Sequence, residues 1–202
     1  YQVAAEALLE GGVDLFILET HFDLLAVKAS VIGARRAMAK VGRQVPIQCQ
    51  VTMELTGRML VGTEIGAALT AIDPLGVDII GLNCATGPNE MGEHIRHLSQ
   101  HARVPISVLP NAGLPSVVDG KMHYDLTPEQ MEAHQRRFVE ELGVQVIGGC
   151  CGTTPEFIKR LADMAPNLTP ASRTPDYEPS VASIYSPVAL KQDLSFLMIG
   201  ER

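Results

Sequence analysis

Two adjacent cysteines, Cys150 and Cys151, close the short apolar run Val146-Ile147-Gly148-Gly149, and Gly152-Thr153-Thr154-Pro155 follows directly. Neighbouring thiols at the end of a strand-like run suit a metal grip. Thiolates are soft ligands that zinc takes readily, and a catalytic zinc commonly uses three protein ligands while leaving a fourth position for water or substrate. The run has the character of a buried parallel strand, Thr153 or Thr154 can cap a following helix, and Pro155 fits its first turn. Successive strand residues point to opposite faces, so both sulfurs can reach one ion only if the strand has already ended; the flanking glycines permit that break. A helix N-terminus beside the sulfurs is also expected to favour the thiolate.

A third thiol stands in an equivalent place. Cys84 ends the run Asp78-Ile79-Ile80-Gly81-Leu82-Asn83 at a turn leading into a probable helix. In a parallel barrel all strand C-termini lie on one rim, which would bring Cys84 to the pair despite the distance along the chain. The competing reading is three unrelated core thiols, because free cysteine is often simply buried. Cys49 sits mid-strand and reads as such a core thiol. His94, His97 and His101 share one helical surface. They could hold a metal, although a solvated polar face with Glu93 and Arg96 explains them as well, since no other ligand-type residues gather there.

The composition narrows the function class. A net charge of −7, no long Lys/Arg run and 4% aromatic residues in a chain of 202 residues speak against a nucleic-acid or anionic-membrane surface. Small-molecule chemistry is expected instead. No apolar stretch is long enough to span a bilayer, and four cysteines without a charged-then-apolar leader suit reduced thiols in a cytoplasmic protein.

The elements that must position the thiols alternate strand and helix. Residues 1–10 form a helix closed by Gly11-Gly12, residues 13–20 a buried strand whose end presents the Glu19 carboxylate, and residues 24–40 a long amphipathic helix. Strands are expected at 45–53, 77–84 and 104–110, the last ending in Asn111-Ala112-Gly113, with helices at about 63–73, capped by Thr63, and at 88–102. Residues 114–124 read as a long loop able to fold over the site. Thr127-Pro128-Glu129-Gln130 opens a helix with a reciprocal cap, and Gly143 closes it. The last helix covers 154–164. Gly12-Val13, Gly76-Val77 and Gly143-Val144 repeat one unit, in which a helix-ending glycine precedes an apolar strand. The fold class is therefore α/β, a (β/α)8 TIM-type barrel present as a fragment of about five C-terminal βα units, since five units cannot close a barrel of eight. Residues 1–165 form that barrel part, the Pro-rich residues 166–193 an interdomain linker, and residues 194–202 a strand opening a further, truncated domain.

Gly81-Leu82-Asn83-Cys84 and Gly148-Gly149-Cys150-Cys151-Gly152-Thr153-Thr154-Pro155, on a background of barrel units, resemble the homocysteine S-methyltransferase family. The tail Phe196-Leu197-Met198-Ile199-Gly200-Glu201-Arg202 resembles the first strand of the pterin-binding domain that follows the homocysteine barrel in cobalamin-dependent members. The resemblance implies that Cys84, Cys150 and Cys151 are zinc ligands, that Glu19 holds the ammonium group of L-homocysteine, and that Asn111 contacts the substrate or occupies zinc's open position until substrate arrives. It further implies methyl transfer to homocysteine giving L-methionine. The donor would be methylcobalamin on another module of the full-length chain, recharged from methyltetrahydrofolate on the pterin-binding module. The family's Gly-rich loop after its first strand is not among these residues. Alternatives within the same reading are a single-barrel enzyme using betaine or S-methylmethionine and a barrel fused to a flavin reductase; outside it stands a structural or sensing zinc-thiolate domain.

Overall fold

The computed structural model describes residues 1–198 and Gly200. Helix α1 (Gln2–Glu10) packs on α2 (Leu24–Val41), and the strands β1 (Phe16–His21), β2 (Ile47–Val51), β3 (Ile79–Asn83) and β4 (Ile106–Leu109) alternate with α2, α3 (Ile65–Ile72) and α4 (Pro88–His101). A hairpin of β5 (Pro115–Val118) and β6 (Lys121–Tyr124) follows, then α5 (Pro128–Leu142), β7 (Val146–Ile147) and α6 (Pro155–Met164). The five strands β1-β2-β3-β4-β7 make one parallel sheet in chain order. Parallel neighbours joined by crossover helices put every strand's C-terminal end on the same edge.

The two sheet faces differ sharply. Phe16, Ile47, Cys49, Val51, Ile80, Leu82, Ile106 and Val108 join Val27, Val31, Met91, Ile95 and Leu98 of the helices in one buried cluster. On the other face the register aligns Gln50, Gly81 and Ser107, and the Gln50 amide donates to the Ser107 hydroxyl at 3.0 Å. Gly81 is required there, because a Cβ would overlap Ser107. A second apolar cluster of Ala112, Met131, Phe157, Leu161 and Met164 fixes α5 and α6 beneath the strand ends.

Local chemistry sets the helix ends. The Asp23 carboxylate accepts the Ala26 N–H at 2.8 Å, and Thr127 and Gln130 cap α5 reciprocally as expected. Thr63 does not act as a cap: α3 starts at Ile65 after Glu64, and the buried Thr63 hydroxyl has no partner among the described residues. The expected loop 114–124 is instead a hairpin. Its turn is Asp119-Gly120, both at positive φ (49° and 72°), the twist that suits a tight antiparallel connection.

The Pro-rich segment packs as a strap along the helices. Arg173 donates to the carbonyls of Leu98, Ser99, Ala102 and Val104 at 2.7–3.5 Å, satisfying the C-terminal end of α4 with a cation. The Asp176 N–H reaches Gln100 O at 2.7 Å. Beyond it, β8 (Ser180–Ala182) and β9 (Pro187–Ala189) form a hairpin against α3. Residues 194–198 lie in no strand, with Leu194, Phe196 and Met198 exposed; Ile199, Glu201 and Arg202, the rest of the strand expected at 194–202, are outside the described residues.

Candidate metal centre

The strand ends bring the three sulfurs together. Cys84 follows β3 directly, and its N–H bonds to Leu109 O at 3.2 Å, extending the β3–β4 pairing by one residue. Cys84 and Ala85 then take positive φ (63° and 60°), a left-handed turn that redirects the chain toward α4. Strand β7 ends at Ile147, so Cys150 and Cys151 lie past the strand, as convergence of neighbouring thiols requires. The Cys150 N–H bonds to Pro110 O at 2.8 Å, and the Thr153 hydroxyl donates to Cys150 O at 2.6 Å. Thr153 thereby closes the turn instead of capping the helix. Gly152, at φ 78°, lies under the Tyr124 ring, which a Cβ would overlap.

The ligand atoms of Cys84, Cys150 and Cys151 all lie within 4.8 Å of one another, and the Cys84 and Cys151 sulfurs are 3.6 Å apart. Tetrahedral zinc with Zn–S bonds of about 2.3 Å sets its sulfurs about 3.8 Å apart. The sulfur set fits that ion. Burial pushes the Cys150 thiol up to about 12, the Cys84 charge adding to the effect, and burial also raises Cys84. Burial and the neighbouring sulfur thus push Cys150 in the opposite direction to the lowering expected beside a helix N-terminus. Thiols that each oppose ionisation of the next become compatible as thiolates when a divalent cation sits among them.

Asn111 is buried next to the pair, and its Oδ1 accepts the Cys151 N–H at 3.1 Å. Glu19 lies in the C-terminal half of β1, two residues before its end, exposed and next to Thr20 at φ 60°. Two further residues with no expected role stand at the cluster. Asn83 donates from Nδ2 toward Cys150 Sγ at 3.8 Å, and the Tyr124 phenol is pushed up by partial burial and by the Cys151 sulfur. Asn83 could have been suspected from its place before Cys84; Tyr124 carries no local signal, because the hairpin delivers it.

Among the described residues, Cys84, Cys150 and Cys151 are the only set of three or more ligand side chains able to share an ion. The histidines do not form a second one. The His97 and His101 rings lie 4.5 Å apart between centroids, tilted by 44°, and His101 Nδ1 pairs with the Asp176 carbonyl at 2.8 Å. They line a cavity of about 470 Å³ between α3, α4 and the strap, which the cysteines do not line. Cys49 is buried in the core, as expected of a mid-strand thiol, and burial pushes it up to about 12.

Comparison with known proteins agrees with this geometry. Residues 1–165 match the family model of homocysteine S-methyltransferase. The chain is 52% identical over 202 residues to methionine synthase of Mycobacterium tuberculosis (strain ATCC 25618 / H37Rv) and 50% identical over 207 residues to that of Mycobacterium leprae (strain TN). In both cases all of this chain is covered, and it spans 17% of the relative's length. Among solved structures, the homocysteine methyltransferase MmuM from Escherichia coli shares the fold. Its apo form has TM-score 0.60 and 23% identity over 78% of this chain and 52% of that one; its metallated form has TM-score 0.59 and 22% identity over 81% and 52%. With the cysteine cluster at the strand ends and the family match over residues 1–165, the chain belongs to the homocysteine S-methyltransferase family.

Proposed function

We propose that this chain carries the homocysteine-activating zinc site of a methionine synthase, with Cys84, Cys150 and Cys151 as the zinc ligands. The convergence of those three sulfurs within 4.8 Å carries the reading. A free alkyl thiol has a pKa of about 8.5, and a bound zinc would supply the full thiolate character that homocysteine lacks at neutral pH. The protein's own residues do the rest. The cysteines hold a cluster with room for a fourth ligand, since three sulfurs leave a tetrahedral position open. Glu19, exposed on the same sheet edge, takes the substrate ammonium. Asn111, fixed by its bond to the Cys151 N–H, offers its remaining amide valences to the open position or to substrate.

The reaction is transfer of a methyl group to the homocysteine sulfur, giving methionine. The 50–52% identity to two methionine synthases supports a donor carried by other modules of a longer chain, methylcobalamin recharged from methyltetrahydrofolate. On the same reading, residues 1–165 are the C-terminal part of a (β/α)8 barrel, 166–193 the segment between domains, and 194–202 the start of a pterin-binding domain in a cytoplasmic enzyme. Serine at Cys84, Cys150 or Cys151 in the full-length protein tests it: zinc measured by mass spectrometry should fall from one per chain to near zero, with methyl transfer abolished. A zinc-free triple variant that still makes methionine would refute the proposal.

A further inference from the structure

Asn83 ends β3 with its side chain fully buried, and its carboxamide is used at both ends. Its Oδ1 accepts the Thr20 N–H at 2.8 Å, while Nδ2 donates to the Thr20 hydroxyl at 2.7 Å and lies 3.8 Å from Cys150 Sγ. Its carbonyl accepts the Thr52 hydroxyl at 3.0 Å. One residue thus ties the ends of β1 and β2 to the sulfur that follows β7.

The bond to β1 has a particular purpose. Thr20 holds φ 60°, a conformation that β-branched residues avoid, at a point where the β1–β2 register slips between Leu18 and His21. Such a conformation persists only where surrounding contacts fix it, and the two-point clamp from Asn83 does so. Glu19 is the preceding residue, so the clamp also sets where that carboxylate stands relative to Cys150. Homocysteine carries its ammonium and its sulfur only a short carbon chain apart. A site that engages both must hold its two binding groups at a fixed separation.

We propose that Asn83 is the positioning residue that couples the two halves of this site, locking the Glu19–Thr20 strand end to the Cys150 ligand. The inference rests on reading the cysteine cluster as a zinc centre and Glu19 as the ammonium partner. An amide with two N–H groups meets the requirement: one bonds the Thr20 hydroxyl, and the other is available to the sulfur. Aspartate would lose both donors and set a carboxylate beside a thiolate.

The test uses zinc-loaded full-length protein, free of substrate, and reads the rate at which zinc passes to a colorimetric chelator. Asn83→Ala should release zinc about 10- to 100-fold faster, the usual loss when a residue supporting a metal ligand is removed. Thr20→Ala touches no sulfur, yet it should speed release in the same direction. The double variant should be no faster than Asn83→Ala alone, because both changes break one linkage. Thr20→Ser keeps the hydroxyl and should release zinc at the wild-type rate. Calorimetric titration should show homocysteine binding weakened in the two alanine variants and retained in Thr20→Ser. Unchanged release from Thr20→Ala, or effects that simply add in the double variant, would overturn the coupling while leaving the zinc reading intact. Wild-type protein that holds no zinc would overturn both. If Asn83→Ala does not fold, the Thr20→Ala and Thr20→Ser pair decides the matter.

Discussion

Alanine in place of Gly152 separates two costs that the turn after the cysteine pair combines. The residue follows Cys151 at φ 78°, and a Cβ there would overlap the Tyr124 ring. The left-handed backbone alone costs an alanine about 1–2 kcal/mol. Tyr124 packs against the cluster of Ala112, Met131 and Phe157, so pushing its ring aside forces an off-rotamer side chain or gives up apolar contact, adding about 1–2 kcal/mol. Gly12 supplies the control, with φ 89° and open space around an added Cβ. Urea unfolding of the zinc-free protein should therefore show Gly152→Ala destabilised by about 2–4 kcal/mol and Gly12→Ala by only about 1–2 kcal/mol. In a Tyr124→Ala background the excess at position 152 should disappear. The reasoning fails if Gly152→Ala costs no more than Gly12→Ala, or if its excess survives without the Tyr124 ring.

Other expectations concern the strap, the histidines and the core thiol. Arg173→Met removes the cation that satisfies the end of α4 and should cost about 1–3 kcal/mol; chymotrypsin cleavage at Tyr177 and Tyr185 should then accelerate, and an unchanged rate would count against the strap. Burial lowers the pKa of His21, His94, His97 and His134, the charges of neighbouring His94 and His101 adding to the effect at His97 and that of Arg137 at His134. The unfolded chain therefore binds more protons as pH falls through the ordinary histidine range near 6.5. Stability should drop from pH 7.5 to pH 5.5, seen as a lower urea midpoint, and a flat profile would contradict this account. Cys49→Ser should leave zinc content unchanged while costing about 1–3 kcal/mol, because it buries a hydroxyl in an apolar core; mass spectrometry and urea unfolding measure the two effects.

Much of the site was legible from local pattern. The Cys150-Cys151 pair past an apolar run and Cys84 at the end of another pointed to strand ends, and the cluster is found there. The reciprocal cap at Thr127 and the helix-ending Gly143 were equally readable, because capping depends on neighbours in the chain. The hairpin was missed although its signal was present: Asp119-Gly120 between Val117-Val118 and Lys121-Met122 is a tight-turn sequence. The strap was not readable, since prolines and serines spell extended chain whether it floats or packs. What holds it is Arg173 meeting carbonyls about 70 residues away in sequence.

By itself the sequence determined the alternation of the five parallel strands with their helices, roughly where those strands stop, and the residue types able to grip a soft cation. Those follow from periodicity, turn chemistry and caps, all of which act over a few residues. Only the tertiary structure decided that Asn83 clamps Thr20, that Tyr124 lies on Gly152, and that burial pushes Cys150 up instead of a helix end drawing it down. Each of these depends on which side chains the parallel register sets side by side and on how much water they exclude. Distances through space and the local dielectric are products of packing, and no stretch of chain carries them alone.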